Sequence, residues 1–121
     1  MTLGRMVREF HDRFRVPVGR QVQFPPPARR QLRRFLLDEE YREYTAAENA
    51  GDVIEVADAL ADIVYVAFGT ALEYGIDLDA VLEEVHRSNM TKEADPAGGK
   101  VRKGPDYEPP RIEAVLQRGR V

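Results

Sequence analysis

The 121-residue sequence predicts an all-α fold, a four-helix-type bundle followed by an irregular C-terminal tail. Three observations carry this expectation. Apolar residues recur at helical spacing in four consecutive stretches. Gly, Pro and capping Asp residues stand between those stretches. The longest apolar stretch bears its few charges as one narrow stripe, a pattern that suits a helix with a polar seam.

The first helix is expected over residues 3–14, where Leu3, Met6, Val7, Phe10 and Phe14 share one face and Phe14 completes the apolar row as a core residue. Residues 16–27 contain Pro17, Gly19 and the run Pro25-Pro26-Pro27, so they form an extended connection. A second helix runs from about 28 to 50, and Gly51 stops it. Asp52 is placed to cap a third, which lasts to about 74 before Gly75. Asp77 caps a fourth, ending near Asn89, with Leu78, Val81, Leu82 and Val85 as its apolar face. Beyond it, ADPAGGKVRKGPDYEPP is too rich in Gly, Pro and charge for a helix; it predicts a loop, with room for a brief hairpin, before a short helix at 111–117. The whole is one domain, 1–121, with a helical core at about 28–90 and a tail at about 91–121.

The third stretch, VIEVADALADIVYVAFGTAL, is apolar or small at nearly every position except Glu55, Asp58 and Asp62. At about 100° per residue these acids fall within roughly 60° of arc. The preceding helix makes the same choice, since Phe35, Leu36, Glu39, Glu43, Ala46 and Ala47 point roughly one way and Glu40 sits at the edge of that face. Carboxylates are rarely buried without compensation. Two neighbouring helices that both turn acids inward make an oxygen-rich cage of the kind Mg²⁺ or Mn²⁺ prefers. Solvated glutamates usually have basic neighbours, but Arg42 and Arg87 are the only basic residues between positions 35 and 89.

Composition narrows the chemistry. The chain is 43% hydrophobic and 32% charged, with net charge −3, and holds no cysteine, which removes disulfides, thiolate metal sites and cysteine nucleophiles together. His11 and His86 are too few and too far apart for a zinc pattern. No span or signal-like segment is apparent, so a cytoplasmic location without membrane attachment is expected. Basic residues flank the acidic centre, an arrangement suited to a polyphosphate held on metals or simply to solvated surface. Nucleic acid is a poor partner, because the acidic centre repels phosphate unless metals intervene.

The acids fall into Glu39-Glu40-x-x-Glu43, then Glu55-x-x-Asp58. With the flanking text LLDEEYRE, the long run from Glu55 to SNMTK, and KGPDY, this resembles the MazG-like all-α nucleoside triphosphate pyrophosphohydrolases, which include phosphoribosyl-ATP pyrophosphohydrolase and the dimeric dUTPases. The resemblance extends over nearly the whole chain. It implies Mg²⁺-dependent cleavage of a nucleoside triphosphate between the α and β phosphates, with Mn²⁺ as a substitute ion. Glu39, Glu43, Glu55 and Asp58 are then metal ligands. Asp62 is a further ligand or a hydrogen-bonded structural acid, and Glu40 is the general base or holds the attacking water.

Asn89 and Lys92 stand where relatives contact nucleotide, and Lys103 and Tyr107 in KGPDY can reach phosphate or base from the tail; a polar helix end and solvated loop lysines have the same appearance. Tyr41, Tyr44 and Leu37 lie off the acidic face and suit a subunit interface, in a homodimer or dimer of dimers. Relatives of the phosphoribosyl-ATP type typically carry a histidine after the tyrosine that follows E-x-x-D, whereas Val66 follows Tyr65 here. That weighs toward nucleotide house-cleaning, with dUTP, dCTP or a damaged nucleotide as substrate. Phosphoribosyl-ATP hydrolysis and a noncatalytic metal-binding helical module are the alternatives.

Overall fold

The computed structural model describes residues 1–118 and contains five helices: α1, Leu3–Phe14; α2, Pro27–Ala50; α3, Val53–Glu73; α4, Leu78–Asn89; and α5, Ile112–Arg118. They fall into two compact units, residues 1–76 and 77–118 of the described chain, each treated below by itself. The helix limits follow local chemistry. Thr2 accepts a hydrogen bond from the Arg5 amide at 3.2 Å, Pro27 opens α2 without forfeiting an intrahelical bond, and Gly51 closes it at φ 67°. Asp52 then receives the Ile54 and Glu55 amides, both at 3.1 Å, so α2 and α3 are joined by two residues.

In the first unit α3 is central, packed by α2 and by α1, the place its apolar composition predicts. The fully enclosed apolar side chains are few: Val7, Ala47, Ala59, Phe68 and Ala71. Much apolar surface of α3 stays open in the single chain, with Val53 76% and Ile54 77% exposed and Leu60 and Val64 also exposed. Phe14 and Phe35 likewise face outward, both 60% exposed, against the inward placement their spacing suggests. Phe14 instead lies against Phe10, whose ring centroid is 4.8 Å away. The connection before α2 is laid along the end of α3, where Gly19 donates to Leu72 O at 2.8 Å and Gln23 to Tyr74 O at 3.1 Å. Gly75, at φ 71°, passes so close to the Gln21 carbonyl that any side chain there would collide with backbone.

A buried ionic knot fastens α2 to α3. The Glu73 side chain has no exposed surface; Arg29 donates to its two oxygens at 2.8 and 2.9 Å, and Arg33 Nη1 lies 3.2 Å from Oε2. Arg33 also donates to Thr70 Oγ1 at 3.0 Å and to Val66 O at 2.9 Å, so its planar fork is spent on fixed partners. His11 is buried beside this knot with Nδ1 3.0 Å from Pro17 O. A carbonyl only accepts, so Nδ1 carries the proton and Nε2 is bare in the neutral ring. A Cβ on Gly69 would stand 2.8 Å from that Nε2 and 2.5 Å from Arg33 Nη2, which is why this helix position has no side chain.

Burial holds the His11 pKa below its ordinary 6.5, with the Arg33 and Arg29 charges adding to the shift and Pro17 O and Glu73 opposing it. The sign follows directly. A histidine disfavoured as a cation contributes its stability fully above about 6.5, and that contribution is lost as pH falls from there through the lower folded value. Urea unfolding at pH 5.5 is therefore expected to require less denaturant than at 7.5. His11→Gln, whose amide can still donate to Pro17 O, is expected to flatten the difference. An undiminished pH dependence in the variant would exclude the ring as its source.

In the second unit the irregular segment is tied down at several points. Glu93 and Arg102 form an antiparallel bridge through backbone bonds of 2.9 and 3.0 Å, the brief hairpin the sequence allows. Buried Ser88 donates to Glu108 O at 2.7 Å, and Thr91 Oγ1 receives the Glu108 amide at 2.8 Å. Glu84 accepts Arg87 through both oxygens and the Arg111 amide at 2.7 Å; these bonds, Arg87 first, bring its pKa down to about 2. The expected helix at 111–117 forms one residue later, within the usual fraying of helix ends.

Candidate active site

The α2–α3 hairpin gathers the acids. One carboxylate oxygen from each of Glu39, Glu40 and Glu43 lies within 4.8 Å of the others, the only such set of three among the described residues. Their closeness is local in origin: i, i+1 and i+4 on one helix place three carboxyls over about one turn. Across from them, Glu55 and Asp58 of α3 line one cleft of about 510 Å³ with Glu43, and Ala46, Ala47 and Ala59 form its walls. Small residues on both helices let the backbones approach, so acids that are distant in sequence share one space. Glu55 and Asp58 stand outside the tight set of three, on the opposite wall.

Glu40 bears the cost of this crowding. Its Oε2 is buried and has no hydrogen-bond partner among the described residues. Burial of the carboxyl, then a hydrogen bond to Glu43 and the charges of Glu43, Asp62 and Glu39, push its pKa up to about 7. Asp62 is also raised, first by burial and then by Asp58 and Glu43, which places it electrostatically inside the cluster. The five predicted ligands and the predicted base all lie on the hairpin, but Glu39, Glu43, Glu55 and Asp58 are exposed in the single chain, against the inward placement their spacing suggests, and Glu40 and Asp62 are half-buried. Like charges this close oppose one another unless a cation is present, and carboxylate oxygens are the donors that hard divalent ions take.

Asn89, Lys92, Lys103 and Tyr107 belong to the second unit. Asn89 is exposed and its carbonyl accepts the Lys92 amide at 3.1 Å. Lys103 Nζ sits 5.1 Å from the centroid of the Tyr107 ring, a cation–π pair that holds both on one stretch of the tail. Sequence reasoning did not single out Ser88 and Thr91, which alternate with these residues and latch the tail. The signal was present in the polar run Arg87-Ser88-Asn89-Met90-Thr91-Lys92, but a helix end normally carries such residues. Nor did it single out Arg29, Arg33 and Glu73.

The class is given by comparison with known families: a hydrolase of phosphoanhydride bonds, a pyrophosphohydrolase of the MazG-like superfamily. Within it, a model of the phosphoribosyl-ATP pyrophosphohydrolase family matches residues 7–89, and the chain belongs to that family. The match runs from Val7, inside α1, to the end of α4 and takes in every acid of the cluster, and it stops before Lys92, Lys103 and Tyr107. Val66 in place of histidine thus leaves the chain inside the family, and the phosphoribosyl-ATP alternative stands level with the house-cleaning one. No curated protein matches the chain.

Proposed function

We propose that the chain is a Mg²⁺-dependent nucleoside triphosphate pyrophosphohydrolase that cleaves the α–β phosphoanhydride of a nucleotide such as dUTP, dCTP or a damaged base analogue, with Mn²⁺ as an alternative ion. The observation that carries this is the crowded carboxylate set of Glu39, Glu40 and Glu43, whose member Glu43 shares one cleft with Glu55 and Asp58 of the next helix. Glu39, Glu43, Glu55 and Asp58 hold the ion, with Asp62 behind them as a further ligand. Such an ion, when bound by these residues, would neutralise charge on the triphosphate. Glu40, whose proton affinity is raised, accepts the proton of the attacking water. Water oxygen forms a new bond to phosphorus, the bridging P–O bond breaks, and monophosphate and pyrophosphate leave. Asn89, Lys92, Lys103 and Tyr107 are proposed to contact phosphate or base.

The open apolar surface of α3, including Val53, Ile54, Leu60 and Val64, supports a homodimer or dimer of dimers, since five enclosed apolar side chains are a thin core for a three-helix unit. Tyr41, Tyr44 and Leu37 extend that interface in this proposal. Among the described residues no helix is long and apolar enough to cross a membrane; a cytoplasmic site of action accords with a nucleotide-pool substrate. The family match favours a second substrate, phosphoribosyl-ATP, equally.

One panel separates the readings. Canonical and modified nucleoside triphosphates and phosphoribosyl-ATP are incubated with Mg²⁺, and pyrophosphate and orthophosphate are scored separately. Pyrophosphate from one or two deoxynucleotides is expected. Cleavage of phosphoribosyl-ATP alone assigns the second substrate, and silence with both Mg²⁺ and Mn²⁺ leaves a noncatalytic metal-binding module.

A further inference from the structure

Beside the acid cluster, a second cleft of about 270 Å³ shares Glu39, Glu43 and Ala46 with its neighbourhood and adds Phe35, Asp38 and Arg42. Phe35 is 60% exposed and makes no ring contact with another aromatic among the described residues, and it sits in the first half of a long helix. Other aromatic side chains are equally exposed, Tyr41 of the same helix among them, but among the described residues Phe35 alone of them lines a groove that also holds acids of the cluster. Phe35 lies four residues before Glu39, one turn away and about 6 Å along the axis. That is the span from a metal-held α-phosphate to the base of the same nucleotide. The cleft falls just below the roughly 300–1,000 Å³ typical of whole-ligand sites, so it fits part of a nucleotide and no more.

We infer that Phe35 is the platform on which the nucleobase of the substrate stacks while the phosphates occupy the neighbouring carboxylate cleft; the inference rests on the pyrophosphohydrolase reading above and deepens it. Every nucleobase presents a π face, so stacking selects a planar ring over a bare polyphosphate without choosing among bases. The rim adds little choice. Asp38 and Arg42 pair with each other at 2.9 Å, are both largely exposed, and offer one acceptor and one donor, which any base edge can meet. The platform therefore distinguishes a nucleotide from a bare polyphosphate, and the choice among bases falls to groups other than Phe35, Asp38 and Arg42.

The chain has no tryptophan, so Phe35→Trp installs a single fluorophore on the platform. The probes are α,β-methylene analogues of dUTP, dCTP and dATP, with inorganic tripolyphosphate as the base-free control, all with Mg²⁺. Saturable quenching by the nucleotide analogues and none by tripolyphosphate is expected. In steady-state assays Phe35→Leu, which keeps apolar bulk but no π face, raises KM about tenfold with kcat within twofold, and Phe35→Tyr restores KM.

Equal quenching by tripolyphosphate overturns the inference. So does a blue-shifted, analogue-insensitive emission that depends on protein concentration, which would mean that a second copy covers Phe35. Base-dependent quenching by a protein that hydrolyses nothing keeps the platform and removes the pyrophosphohydrolase reading. Wild-type turnover with an unaffected Phe35→Leu KM and no base-dependent quenching does the reverse. Circular dichroism of each variant confirms helix content before either comparison.

Discussion

Glu43→Gln is expected to abolish turnover while making the cation-free protein more stable. Glu43 is the residue shared by the tight carboxylate set and by both clefts, so its loss removes a proposed ligand and one wall of the site. Loss of one such electrostatic group costs on the order of 10²–10³ in rate. The stability effect has the opposite sign because Glu43 is, after burial itself, the main reason Glu40 resists ionisation. The folded pKa of Glu40, about 7, lies above its ordinary 4.5. Its favourable contribution is therefore complete below about 4.5 and lost as pH rises through about 7. Replacing a neighbouring charge by an isosteric amide shrinks that loss. Thermal unfolding from pH 5 to 8 without divalent ions, beside pyrophosphate release with Mg²⁺, tests both halves. A variant that keeps near-wild-type turnover removes Glu43 from the ligand set. One that is less stable than wild type at pH 8 contradicts the strain.

The second large effect lies away from the chemistry. Glu73→Gln leaves Arg29 and Arg33 without their counter-charge, one of them buried, while changing almost no volume. Breaking a buried ion pair from one side costs about 3–5 kcal/mol, because the charge left behind stays desolvated. For a chain of this size that amounts to a fall in Tm of on the order of 12–20 °C. Replacing all three residues by methionine is expected to recover most of the loss, since well-packed apolar side chains commonly equal or exceed a buried ionic group. Differential scanning calorimetry of the single and triple variants measures this. A Glu73→Gln shift below about 3 °C would show that the knot is solvated in practice and holds little.

The hairpin was readable in the sequence because its signals are local. Gly51 and Asp52 mark the turn by backbone conformation and capping chemistry, and the acids of each helix sit at spacings that a single helix enforces. The Glu73 knot was not readable in the same way. Arg29 and Arg33 look like ordinary solvated arginines of a basic N-terminal third, and their partner is 44 residues from Arg29, beyond any helical period. A faint signal exists in hindsight: Glu73 is the one acid in the latter half of an apolar helix. The outward turn of Phe35 was hidden for a related reason. Spacing assigns a residue to a face, but which face is covered depends on where α3 lies. The tail defied reading because Ser88 and Thr91 act through single hydrogen bonds to Glu108, which no periodicity announces.

The two-residue joint between α2 and α3 has a kinetic side. All six acids fall within residues 39–62, on the two arms of one short-looped helical hairpin. Closing so short a loop forfeits little chain entropy, and pairing near neighbours in sequence is the fast part of folding. The crowding of carboxylates is then met early, on the way up the folding barrier, instead of after the rest of the chain has set. A cation that relieved it would then be expected to speed formation of the hairpin, so that the chemistry of the mature site would reach back into the order in which the molecule assembles.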